Sequence, residues 1–221
     1  KKGLMEILKV ANARLPLKAS YLCALITRAD IVVIGTFLVS WAVKLADQYN
    51  LTSETATLKG SIPMIVMGVF SMIIMPVVGI LIDKWGRMPT ILLSLFLGGV
   101  GLICMGLSPS PFAGFMYLAI LLAGFGMSGA VIGANTLAAD AAPKGMVGSI
   151  LGGLNTMQPI GVLFFVGLGG FLFDKLGPGW AFGLKGIATL ILVFWMFVNR
   201  GRITEELQEA SSLAGLPFSM E

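Results

Sequence analysis

The sequence predicts an all-α integral membrane domain with six spanning helices, and three observations carry that reading. Apolar residues make up 57% of the chain and charged residues 12%, with a mean hydropathy of +0.92, whereas soluble domains carry about 25% charge. The apolar stretches are continuous and do not alternate with period two, which indicates helices and not the strands of a barrel. Each stretch reaches the roughly 20 residues needed to cross the hydrocarbon core, where only helices or closed barrels satisfy their own backbone groups.

Residues 1–19 carry Lys1, Lys2, Lys9, Arg14 and Lys18 against the single acid Glu6, with Leu4, Ile7 and Leu8 on one helical face. This composition is that of an amphipathic lead-in lying on a cytoplasmic membrane surface. The chain begins at Lys1 without a signal-peptide core, and the expectation is a piece of something longer. Six runs follow within a transmembrane domain over 20–199. They are helix a over Ser20–Val43, b over Gly60–Ile82, c over Met88–Leu107, d over Phe112–Ala139, e over Val147–Phe173 and f over Trp180–Val198. Residues 200–221, with Glu205, Glu206 and Glu209, read as a polar cytoplasmic tail.

The b-to-c junction is the most informative stretch. Gly79-Ile80-Leu81-Ile82-Asp83-Lys84-Trp85-Gly86-Arg87 halts one apolar run in a knot of charge and glycine. Each such charge would cost roughly 2.5–3.5 kcal/mol at the bilayer centre, so the knot marks a turn at the surface. Gly170-Phe171-Leu172-Phe173-Asp174-Lys175-Leu176-Gly177 repeats Gly-x-Leu-x-Asp-Lys-x-Gly at the end of run e. An internal repeat in an apolar chain points first to a transporter.

Charge distribution sets the expected orientation. With a cytoplasmic start, ten basic residues fall on the inside: Lys1, Lys2, Lys9, Arg14, Lys18, Lys84, Arg87, Lys144, Arg200 and Arg202. Four fall outside, Lys44, Lys59, Lys175 and Lys185, the last read as a terminal residue of f. The excess leads to the expectation of a multi-pass protein of the plasma (inner) membrane with both termini cytoplasmic. Polarity sorts the helices: a, d and e hold most of the internal polar groups and are expected to line a cavity, while c and f are expected to face lipid. Gly129-x-x-x-Gly133 on d and Gly148-x-x-x-Gly152 on e favour close helix contact, and Pro63, Pro76 and Pro159 favour bends in b and e.

Other classes of chemistry are poorly supported. The chain has no histidine, which removes His-based catalysis, His metal sites and a rhomboid-type protease. Cys23 and Cys104 sit in apolar runs and read as small buried side chains. No Gly-x-x-x-x-Gly-Lys-Ser/Thr stretch for ATP is present, and the scattered net charge of +4 does not suggest nucleic acid. The expectation is a protein that is no enzyme and needs no cofactor or metal.

Gly79-x-x-x-Asp83-Lys84-x-Gly86-Arg87 after the second of six helices resembles the signature loop of the major facilitator superfamily. Asp140-x-x-Pro143-Lys144-Gly145 after helix d is similar to the family's loop between fourth and fifth helices. Gly169-Gly170-Phe171-Leu172-Phe173-Asp174 and Gly179-Trp180-Ala181-Phe182 are similar to its passage from fifth to sixth. Met88-Pro89 departs from the pattern, standing where the family often has another basic residue. The resemblance implies one six-helix half, as two inverted three-helix repeats, of a two-lobed secondary transporter of a small organic solute. The basic lead-in and polar tail suit the C-terminal half, with the N-terminal half as the competing assignment, and either leaves the other half as a partner. It also implies a cytoplasmic gate of Gly79, Asp83, Lys84, Gly86, Arg87 and Asp140, with Asp83 against the N-terminus of helix e. A transporter-like sensor or scaffold that binds a solute without moving it is the alternative.

Arg28 and Asp30 read as the only charges deep in a run. Two residues apart on a helix, they point about 200° from one another, so each needs its own partner. Together with Asn135 on d and Asn155 and Gln158 on e, they are the candidates for a substrate or proton cavity. The competing reading is structural pairing between helices.

Overall fold

Six helices long and apolar enough to cross a membrane account for most of the computed structural model, which describes residues 12–143 and 145–214. The expected lead-in helix falls largely on residues 1–11, outside the described residues. The first span, Leu15–Lys44, is divided into α1 (Leu15–Thr27) and α2 (Ala29–Lys44). The others are α3 (Ser53–Trp85), α4 (Arg87–Leu107), α5 (Gly114–Ala141), α6 (Val147–Lys175) and α7 (Gly179–Val198), followed by a terminal helix α8 (Arg200–Ala214). Pro63, Pro76 and Pro159 lie inside α3 and α6 without interrupting either helix.

Contacts between the ends fix the up-and-down order. On one face the Arg14 guanidinium donates to the Ala141 carbonyl at 3.1 Å, the Leu15 amide donates to the Glu206 carboxylate at 2.8 Å, and Arg87 pairs with Asp140. The start of α1, the α3–α4 and α5–α6 turns and helix α8 are therefore neighbours. On the opposite face Tyr49 meets Phe112 edge-on at 5.1 Å, and the Lys44 ammonium lies 5.3 Å from the Phe173 ring. The Asp83 corner thus belongs to the first face and the Asp174 corner to the second. Both motif copies end on a glycine with positive φ, Gly86 at +87° and Gly177 at +116°, conformations that a β-carbon disfavours.

The core divides near Arg28. Leu17, Tyr21, Ile91, Leu95, Leu137, Ile150 and Met196 pack toward the first face, and Val33, Phe37, Trp41, Leu102, Ile120, Phe165 and Phe182 toward the second. Lipid is as apolar as leucine, so close packing by small residues must hold these helices together. It does so chiefly along α4. A β-carbon on Gly101 would lie 2.5 Å from the Ala123 amide, and one on Gly126 2.2 Å from the Gly98 α-carbon. On the other flank of α4, a β-carbon on Gly106 would reach within 2.7 Å of the Gly179 carbonyl.

Helix c was expected to face lipid, yet α4 is wedged between α5 and α7, because its glycines let both neighbours approach. The faces left most open belong to α3 and α6, where Ile65, Met72, Ile73, Leu163 and Phe164 are exposed. Gly129 and Gly133 on α5 pack tightly on Ser94 and Ile91, but Gly148 and Gly152 on α6 meet nothing within 4 Å. Of the segment read as a polar tail, Arg200–Ala214 is helical, and Ile203 and Leu207 anchor it in the core.

Candidate functional site

The break in the first span lies close to its middle. The Thr27 hydroxyl donates to the Cys23 carbonyl at 2.8 Å, a back-bond that bends helices, and Arg28 separates α1 from α2. Helix α6 presses on the same turn. A β-carbon on Gly161 would fall 1.7 Å from the Leu25 carbonyl oxygen, so only glycine permits this approach.

Around the break α1, α5 and α6 enclose a recess lined by Ala24, Thr27, Arg28, Val131, Ala134, Asn135, Leu154 and Gln158. The recess is open on one side, and the part of it that these three helices wall off is about 20 Å³, of the order of one water. Arg28 and Asn135 are exposed and Gln158 is half-buried. The Asn135 amide nitrogen donates to the Val131 carbonyl at 3.0 Å, and that of Gln158 donates to the Asn155 side-chain oxygen at 3.2 Å. Among the described residues, Arg28 makes no hydrogen bond or ion pair. The structure therefore brings Arg28, Asn135 and Gln158 to one place, with Asn155 attached through Gln158.

Asp30 is elsewhere. It points away from the recess and pairs with Lys185 of α7, a residue that sequence reasoning had assigned to the surface. Lys185 is 0% exposed and Asp30 7%. The ammonium also lies 4.8 Å from the centroid of the Phe165 ring, within cation–π range. The signal for Lys185 was present in the sequence: it stands six residues after Gly179, about 9 Å along the helix, too deep for a surface anchor.

At the first face, the Arg87–Asp140 ion pair joins the α3–α4 turn to the end of α5, with the two side chains 41% and 31% exposed. Gly86 makes the turn, its amide donating to the Ile82 carbonyl at 3.0 Å and its carbonyl accepting from the Thr90 hydroxyl at 2.9 Å. Gly79 lies one turn before Asp83 within α3, and both Asp83 and Lys84 are exposed. Among the described residues Asp83 bonds to no helix N-terminus, including that of α6.

This architecture is one six-helix half of a transporter fold, and the chain belongs to the Major Facilitator Superfamily, whose family model matches residues 21–219. It is a multi-pass membrane protein. Magnetosome protein MamH of Paramagnetospirillum magneticum is 35% identical over 176 residues, which cover 80% of this chain and 41% of that protein. Magnetosome protein MamZ of Magnetospirillum gryphiswaldense is 27% identical over 199 residues, covering 89% of this chain and 31% of that one. The chain therefore spans less than half the length of these relatives. In fold it is similar to the xylose transporter XylE from E. coli in an inward open conformation, with a TM-score of 0.71 at 15% identity, over 93% of this chain and 56% of that one.

Proposed function

We propose that the chain is one half, the C-terminal one, of a secondary active transporter that moves a small organic solute by alternating access. The observation that carries this reading is the recess at the broken first span, where Arg28, Asn135 and Gln158 from three different spans gather beside Thr27. Polar groups within spans face a solute path or a protein interior, and the open faces of α3 and α6 suit a second six-helix half. In this reading the protein is not an enzyme.

Gating falls to the first face. Arg87 and Asp140 hold the α3–α4 and α5–α6 turns together in one access state and separate in the other. Gly79 and Gly86 shape the corner, and Asp83 and Lys84 complete its charge. Asp30 is the proton-coupling group: protonating it releases Lys185, whose ammonium keeps the Phe165 ring as a fallback partner. Asn155 positions Gln158.

The positive-inside count supports cytoplasmic termini in the inner membrane, and the magnetosome is the second location to test because the relatives carry that description. Solute flux into proteoliposomes containing the full-length protein tests the function. Flux driven by an imposed proton gradient is expected, and loss of its pH dependence in Asp30→Asn. Solute binding without flux would instead assign a sensor.

A further inference from the structure

Among the described residues, Arg28 is a guanidinium without a counter-charge. A cation in the middle of a span costs roughly 2.5–3.5 kcal/mol on insertion scales even before isolation from water is counted, and its only near acid in sequence is committed elsewhere. Asp30 pairs with Lys185 on the far side of the helix. The other carboxylates on the spans, Glu54, Asp83, Asp140 and Asp174, lie within three residues of helix ends. No carboxylate lines the recess. The groups beside Arg28 are neutral amides, and Asn135 and Gln158 each spend one amide hydrogen on the bonds already described and keep a second to donate.

A planar fork of N–H donors flanked by further donors matches the acceptor oxygens of a carboxylate or a phosphate. We infer that Arg28, with Asn135 and Gln158, binds the anionic group of the transported solute, so the substrate class is a small organic or phosphorylated anion. This rests on the transporter reading, and it deepens it by naming the charge of the cargo. The three charges deep in the spans fit: Asp30 neutralises Lys185 internally, and Arg28 is left for a ligand to neutralise.

The test uses the full-length protein in zwitterionic-lipid nanodiscs, with succinate, inorganic phosphate and uncharged xylose as probes and thermal unfolding as readout. A site occupied at a hundred times its Kd raises the Tm by about 5 °C. That rise is expected with succinate or phosphate and not with xylose. Arg28→Gln is expected to weaken the response at least tenfold, and Arg28→Lys, which keeps charge but not the fork, to weaken it less. No response to either anion, or an equal response in Arg28→Gln, overturns the inference. A Tm rise seen only in phosphatidylglycerol nanodiscs assigns Arg28 to a lipid headgroup and also overturns it. Destabilisation of Arg28→Gln with no anion response in the wild type does so too, by assigning Arg28 a fixed counter-charge in the rest of the protein. Because binding is read without flux, anion binding in a protein that carries no solute sinks the transport reading and leaves this site standing. Flux of a neutral solute unaffected by Arg28→Gln does the reverse.

Discussion

The ammonium of Lys185 on α7 and the carboxylate of Asp30 on α2 form an ion pair in the interior of the helix bundle, closed on one side by the Phe165 ring. The pair ties the segment just after the helix break to the last span. Breaking a buried pair strands a charge, at a cost of about 3–5 kcal/mol, whereas replacing both partners with apolar residues of similar volume is often neutral. Lys185→Met alone and Asp30→Leu alone are therefore expected to lower the melting temperature of the detergent-solubilised protein sharply. The double variant is expected to recover most of the loss. Additive losses would show that the two groups do not interact.

Two glycines of α6 are expected to behave in opposite ways. Gly161→Ala drives a methyl into the Leu25 carbonyl, and overpacking against backbone costs about 1–3 kcal/mol or more. Gly152→Ala meets open space within this half and gains up to about 1 kcal/mol of helix propensity. Thermal melts of the two variants side by side check this contrast.

Gly86 holds φ +87° and ψ 164°, a region essentially confined to glycine, where another residue costs about 1–3 kcal/mol. Gly86→Ala is expected to lower stability by that amount and to misdirect Arg87. Gly79→Ala, in a helical position with nothing within 4 Å, serves as the control. An equal Tm for the two variants would contradict the strained corner.

The Arg87–Asp140 pair is partly exposed, so its worth is about 1 kcal/mol or less. Asp140→Asn is expected to shift the inward/outward ratio by up to about fivefold, read by spin-label distances across the α3–α4 and α5–α6 turns. Raising the salt concentration shrinks the difference between wild type and variant, because exposed charges are screened. Asp83→Asn, which removes no contact among the described residues, is expected to shift it less.

Helix α8 is held by Ile203, Leu207 and the Glu206 carboxylate on the Leu15 amide. Glu206→Gln weakens a charge-assisted bond and Ile203→Asp removes the anchor. Amide exchange over residues 200–210 is expected to rise modestly in the first and reach that of an undocked helix in the second. Unchanged exchange in Ile203→Asp would mean that α8 is held by other contacts.

The sequence by itself determined the six spans, their order and the two matched corners, because lipid demands about twenty apolar residues per crossing and expels Asp83, Lys84 and Arg87 to a surface turn. It also singled out Arg28 and Asp30 as charges that must part company, since two residues of helix turn them to opposite sides. Only the tertiary structure decided where each of them went. Lys185 looked like a surface residue until α7 packed against α2. Arg28, Asn135 and Gln158 come from three spans, Arg28 from the break in the first, at positions more than twenty residues apart in sequence, and no local pattern links them. The missing glycine signal has the same origin. Gly161 and Gly101 differ from Gly148 and Gly152 only in what lies opposite, and a backbone carbonyl 1.7 Å from an absent β-carbon is a fact about the neighbouring helix.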